Sequence, residues 1–369
     1  MMDPRIEKLA DVMVNYSLEL KQGQWVKVQG INTAMPLIKA FFKKALDAGA
    51  HPYYHAMVDD IEEIFMKYGS DEQLTFISDI QKIETEKVDA MFAIMARDNS
   101  KYLSNVDPDR QALAQGARKD LFTKFMERSA NGDLKWVGTM YPTISAAQDA
   151  DMSLSEYEDF VYEAGHLNDD DPVVFWKSMS KTQDKQAEYH QGFREIHVKS
   201  KDTDLKLKVE GRKWVNCDGK YNFPDGEIFT TPIEDSANGH IVYTYPACYG
   251  GREVANVRLE FKEGKLVDFS ADKNQDYLEK MVNMDEGARI LGEFAIGTNY
   301  NIDKFTKNIL FDEKIGGTIH LALGAAPPET GGTNKSALHW DMICDLKDGG
   351  ELYGDGEVFY KDGKFMKEF

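Results

Sequence analysis

The first half of the chain alternates between two hydrophobic periods. From Asp3, apolar residues at Ile6, Leu9, Ala10 and Met13 recur at i, i+3, i+4 and i+7, a spacing that lays one apolar stripe along a helix. After Gly23, Trp25-Val-Lys-Val-Gln-Gly30 switches to the period of two of a strand. Helical spacing returns over residues 36–47 through Leu37, Phe41 and Ala45, Gly49 stops it, and residues 51–57 read as the next strand. An acidic helix over 60–67, an apolar strand over 88–95, a helix over 107–128 and a strand over 134–140 continue the rhythm. Strands and helices in this alternation predict a mostly parallel sheet covered by helices, an α/β fold.

Two further helical stretches, 153–164 and 172–192, precede a change of character. From Arg194 onward period-two runs dominate: Glu195-Ile-His-Val-Lys199, Leu205-Lys-Leu-Lys-Val209 and Val257-Arg-Leu-Glu-Phe261, with Glu263-Gly264-Lys265 as a hairpin turn. A chain of 369 residues exceeds what one core usually supports. Two domains are therefore expected, an α/β domain over 1–190 and a β-rich α+β domain over 191–369.

Composition narrows the function. A formal charge of −19 argues against a phosphate-binding surface and so against nucleic acid, while it suits divalent cations and substrates with a positive amine. No run approaches the roughly 20 apolar residues of a membrane span. The N-terminus lacks the basic start and apolar run of a secretory signal, and three scattered cysteines (Cys217, Cys248, Cys344) suit a reducing cytosol, so a cytoplasmic location is expected. Gly-x-Gly-x-x-Gly and Gly-x-x-x-x-Gly-Lys are both missing, which makes the α/β half a scaffold without a cofactor. Gly-x-Ser-x-Gly and His-Glu-x-x-His are missing as well.

The candidate chemistry gathers in the second half. His320 lies in a strand-like Thr318-Ile-His-Leu-Ala-Leu323, and His339 stands two residues before Asp341, so imidazole and carboxylate point to the same side of a strand. Glu227 and Glu293 each follow a glycine within a short strand-like segment, and a glycine lets backbone or ligand come close. His51, His55, His166, His190, His197 and His240 read as packed or surface residues, with His240 at a turn.

Four ordered segments then carry a resemblance: Asn222-Phe-Pro-Asp-Gly-Glu-Ile-Phe-Thr-Thr-Pro232, Gly287-Ala-Arg-Ile-Leu-Gly-Glu293, Gly316-Gly-Thr-Ile-His-Leu-Ala-Leu-Gly324 and His339-Trp-Asp341. Together with the opening Lys21-Gln-Gly-Gln-Trp-Val26, they resemble the two-metal aminopeptidases of the thermophilic aminopeptidase T family. The resemblance implies that Glu227, Glu293, His320, His339 and Asp341 are metal ligands, with Glu313 touching or orienting the metals. It implies a homodimer, an N-terminal domain that shapes access, and peptide substrates with a free N-terminus. Imidazole and carboxylate donors suit two ions of zinc, cobalt or manganese. Such a pair, roughly 3.5–4 Å apart, would share a water and lower its pKa toward about 7. Glu293 is the expected proton acceptor.

One departure stands out. Where the family pattern has a tyrosine, this chain reads Ala322-Leu-Gly-Ala-Ala-Pro-Pro-Glu-Thr-Gly331, with Pro327 at the tyrosine position. Proline offers no hydroxyl, so either another tyrosine such as Tyr353 serves, or the chain is a catalytically impaired metal- or peptide-binding relative. A metallohydrolase for a non-peptide amide is a third reading, since two-metal chemistry does not define the acyl group.

Overall fold

Val26 and Val28 are buried on the strand Trp25–Gly30, and parallel pairing follows on both sides of it, to His51–Ala56 and to Ala90–Met95. This computed structural model describes residues 3–369. Five parallel strands form the first sheet, in the order His51–Ala56, Trp25–Gly30, Ala90–Met95, Lys135–Met140, Asn222–Phe223. The helix Met35–Asp47 buries Leu37, Ile38, Ala40, Phe41 and Ala45, and Phe41 stacks on Phe92 of the sheet with ring centroids 4.4 Å apart. Burial of an apolar helical stripe on a sheet is the packing that the alternating periods call for.

Local details differ from the periodic reading. The helix expected over 107–128 is two helices, Pro108–Ala117 and Lys119–Ala130, broken at Arg118 beside Gly116, a poor helix former. Arg118 donates to the carbonyls of Ala114 and Leu74 at the break. Two short helices, Asp71–Thr75 and Asp79–Lys87, each start at a capping box, Ser70 with Gln73 and Ser78 with Gln81. The fifth strand, Asn222–Phe223, has only two residues, too few to show a period.

The chain divides into two units: Met1–Trp176 with Gly219–Phe223, and Lys177–Asp218 with Pro224–Phe369. The second unit holds an eight-stranded antiparallel sheet and a five-stranded one. The five-stranded sheet runs His339–Asp345, Thr318–Gly324, Leu291–Gly297, Glu227–Thr230, Val215–Cys217, every neighbour antiparallel. One apolar core joins the two, drawing Ile196, Leu205, Ile241 and Leu259 from the large sheet and Ile228, Phe294, Ile319 and Leu321 from the small one. His240 lies within the strand Asn238–Val242, rather than at a turn, because Gly239 pairs on both sides there.

Candidate metal centre

Side chains alternate across a strand, so each strand of the five-stranded sheet has a core face and an outer face. Phe294, Ile296, Ile319 and Leu321 take the core face. The outer face carries Glu227, Glu293, His320, Asp341 and His339, spread over four of the five strands. Register supplies room for them: Ala295 lies across from His320, Ala322 from both Glu293 and Asp341, Gly297 from Glu227, and Gly324 from His339. Each of these five residues thus faces alanine or glycine on at least one side of the ladder.

The glycines before the two glutamates have separate physical reasons. Between Leu291 and Glu293 the pairing shifts by one residue, a bulge that puts Leu291 in the core and Glu293 on the opposite face. At Gly292 a Cβ would meet the Ala325 carbonyl oxygen at 2.3 Å, so no side chain fits the bulge. Gly226 has φ +130°, a conformation that side chains disfavour, and its carbonyl accepts the Thr298 amide at 2.8 Å. The turn that delivers Glu313 is held by Asp312, which accepts the Thr306 amide at 2.7 Å and its hydroxyl at 2.9 Å.

Both histidines are oriented by carbonyl acceptors. Nδ1 of His320 lies 3.0 Å from the Glu313 carbonyl oxygen and Nδ1 of His339 lies 2.8 Å from that of Ala325. A carbonyl cannot donate, so each Nδ1 carries the proton and each Nε2 faces the cluster. Nε2 of His320 lies 3.3 Å from Glu293 Oε1 and 3.4 Å from Glu227 Oε2. Nε2 of His339 lies 3.6 Å from Glu293 Oε2 and 3.5 Å from Asp341 Oδ1. Glu293 thereby spans the two imidazoles, one oxygen to each.

The electrostatics call for a cation. Burial pushes the Glu227 carboxyl up to about 8, with Glu313 and Glu293 adding to the rise and Lys314 and His320 opposing it. Burial likewise lifts Asp341 to about 6 among Glu293 and Glu313, against His339 and His320. His320 is pushed up to about 10: burial disfavours its charge, but Glu293, Glu227 and Asp341 outweigh that. His339 is raised for the same balance of reasons, Asp341 and Glu293 prevailing over burial. Groups this close favour whatever positive charge they can share, a proton or a metal ion. Glu227 Oε2 is buried and makes no hydrogen bond, an acceptor that a metal ion would satisfy.

Among the described residues, ligand-type atoms within 4.8 Å of one another form the sets Glu227–Glu293–His320, Glu293–His339–Asp341 and Glu313–His320–Asp341. All six residues singled out from the sequence therefore come together. Three neighbours were not singled out: Lys314, Asp225 and Cys217, the last two joining Glu227 in a further set. Of these only Asp225 lay within a motif, directly before Gly226-Glu227; Lys314 follows Glu313 outside the motifs, and Cys217 is separate from them. Pro327 sits in the loop after the His320 strand, its carbonyl accepting the Thr330 hydroxyl at 2.6 Å. Tyr353 does not take the family tyrosine's place, because it lies on the eight-stranded sheet with its hydroxyl bound to Glu351.

Comparison with known proteins gives the family. The sequence pattern described as Peptidase_M29, thermophilic metalloprotease (M29), matches residues 2–365. Aminopeptidase 2 of Geobacillus stearothermophilus is 26% identical across 99% of this chain and 98% of its own length. Aminopeptidase AmpS of Bacillus subtilis is also 26% identical, over 98% of each chain. The solved structure of wild-type AmpT from Thermus thermophilus superposes with a TM-score of 0.85 at 22% identity, covering all of both chains. A metalloprotease family implies a metal ion at the centre of its chemistry. The chain belongs to the M29 family of thermophilic metalloproteases.

Proposed function

We infer that the chain is a metal-dependent aminopeptidase whose centre takes two divalent ions. The observation that carries this reading is the position of Glu293, shared between the Glu227–His320 set and the His339–Asp341 set. Glu227, Glu293 and His320 would hold one ion, Glu293, His339 and Asp341 the other, with Glu313 beside His320 and Asp341. Mixed imidazole and carboxylate donors suit zinc, cobalt or manganese.

Bound there, divalent ions polarise a peptide carbonyl and lower the pKa of water. Glu293 is the proton acceptor of this reading, taking the proton of the attacking water on an oxygen not engaged by an ion and returning it to the departing amine, as general base and then general acid. The cluster is graded in exposure: His320 is sealed, whereas the His339 side chain is 39% exposed, so substrate reaches the centre from the His339 side. Named relatives are aminopeptidases, and a strongly acidic chain favours a protonated α-amine on the substrate.

A homodimer fits the apolar side chains exposed in the first unit, among them Ile61, Tyr68, Phe76, Ile80 and Phe122. Three unpaired cysteines suit a reducing cytosol. The decisive experiment combines metal analysis of protein purified without chelator with hydrolysis of paired short peptides, one with a free and one with an acetylated N-terminus. Cleavage of the free peptide alone is expected; equal cleavage of both overturns the aminopeptidase reading.

A further inference from the structure

Lys314 is outside the ligand sets above, yet it is fully enclosed at their inner end. Its Nζ contacts the Glu313 carboxylate and lies 3.9 Å from Asp225 Oδ1 and 4.0 Å from Glu227 Oε1. Those two carboxylates and Cys217 Sγ make up a further trio of ligand-type atoms within 4.8 Å of one another. The trio lies toward the far edge of the five-stranded sheet from His339, where Cys217 pairs with Glu227. Glu227 divides its oxygens between the two places, Oε1 toward Lys314 and Oε2 toward His320.

We propose that Lys314 is a built-in cation that fills the Cys217–Asp225–Glu227 trio, so that the centre accepts two divalent ions and excludes a third. This rests on the two-ion reading of the same site. Charge balance supports it. Asp225, Glu227, Glu293, Glu313 and Asp341 bring five negative charges when ionised, two divalent ions offset four, and one ammonium offsets the fifth. Both histidines stay neutral in that state, their Nδ1 protons committed to carbonyl oxygens. An ammonium on a flexible stem is a compact point charge able to sit among oxygens where a metal ion otherwise would.

The balance also says what removal of Lys314 does. With a neutral side chain there, five carboxylates and two ions leave one negative charge uncompensated in a sealed site, a costly condition. A third divalent ion restores neutrality once Cys217 gives its thiol proton to solvent and binds as thiolate, six negative charges then meeting six positive. Thiolate and carboxylate donors together suit cobalt or zinc. Lys314 is thus a positioning residue that sets how many ions the site holds and keeps the thiol out of it.

The test uses full-length protein loaded with cobalt, comparing the unaltered chain with Lys314→Met, Lys314→Gln, Lys314→Arg and the double change Lys314→Met/Cys217→Ser. Bound cobalt per chain is measured after gel filtration, alongside the near-ultraviolet charge-transfer absorption of a thiolate–cobalt bond. Lys314→Met is expected to bind one ion more than the unaltered chain and to acquire the thiolate band, and the double change to lose both. Lys314→Arg should keep the original count without the band. Lys314→Gln carries the same expectation as Lys314→Met and replaces it if the methionine variant is insoluble. An unchanged count with no thiolate band in the neutral variants overturns the inference, as does a thiolate band in the unaltered protein. The count in the unaltered chain tests the two-ion reading separately: any number other than two refutes that reading, whereas the increment on losing Lys314 judges the lysine.

Discussion

The two faces of the five-stranded sheet are made by the same strands and differ in almost every property. Leu321 and Ala322 are adjacent in the chain; Leu321 enters the apolar core, while Ala322 lies between Glu293 and Asp341. One face is mostly apolar and joins the core. The other concentrates carboxylates and imidazoles over small residues, a poor arrangement for stability and a good one for holding cations. A period of two therefore lets one segment hold the domain together and carry its chemistry without either role constraining the other residue by residue.

The sharpest way to break this separation is on the chemical face. Glu293→Gln keeps shape and burial but removes the proton acceptor and neutralises the residue shared by both ligand sets, so turnover should fall by at least the roughly 10²- to 10⁴-fold that a positioned general base is worth. Thermal stability should barely drop, since a buried carboxylate among other carboxylates is lost. Unfolding of the variant at room temperature would show that the outer face holds the fold as well.

Leu321→Ala is the complementary change one strand away. A fully buried leucine truncated to alanine should cost about 2–5 kcal/mol by chemical denaturation. Metal content per folded chain should stay as it was, because the neighbouring His320 is oriented by the Glu313 carbonyl and not by Leu321. Loss of metal in parallel with stability would couple the faces.

How much of this was written in the sequence follows from which interactions are local. The first sheet's strands and helices were legible because each buries its own stripe, and Trp25–Gly30 shows this in six residues. Five of the six candidate residues were legible through their motifs, Glu313 through its place just ahead of the His320 strand, and the strand alternation of His339 and Asp341 gave a reason for those two. The bulge at Gly292 was not, because a register shift is a property of two strands, Leu291–Gly297 and Thr318–Gly324, that lie far apart in sequence. Lys314 escaped for a similar reason: beside Glu313 it reads as one half of a solvated charge pair, and only the meeting with Asp225 and Glu227 makes it a buried cation. Tyr353 misled because nearness along the chain to His339 and Asp341 says nothing about which sheet a strand joins.

His190 offers a third kind of histidine against which the two in the cluster can be judged. It is fully buried at the rim of the core, ringed by Phe193, Trp214, Phe359 and Phe365, with neither nitrogen hydrogen-bonded. Burial pushes its pKa down to about 3. The unfolded chain, with an ordinary imidazole, binds the extra proton below about pH 6.5 while the folded chain does not until near its own lower value. Stability from the neutral ring is therefore complete above about pH 6.5 and is lost as pH falls, amounting to about 2 kcal/mol by pH 5. His190→Leu should flatten that acid loss by the same amount in parallel denaturation curves at about pH 7.5 and 5. Identical acid sensitivity in both proteins would mean that the ring is solvated or paired.

Ala322→Val makes the smallest and most discriminating change, because it adds two methyl groups to the chemical face and none to the core. Overpacking a filled core costs typically about 1–3 kcal/mol. Here the added methyls lie beside the half-open His339 side, so a stability loss near the lower end, about 1 kcal/mol, is expected. Ligand geometry is less forgiving, since Glu293 and Asp341 both rely on the space that Ala322 leaves. Metal affinity should fall by about 10- to 100-fold, as happens when groups that orient ligands are disturbed. The comparison of faces survives if titration with metal shows this disproportion. Unaltered metal affinity in the Ala322→Val protein, with a stability loss like that of Leu321→Ala, would mean that the small residues opposite the ligands pack the fold and do not make room for the centre.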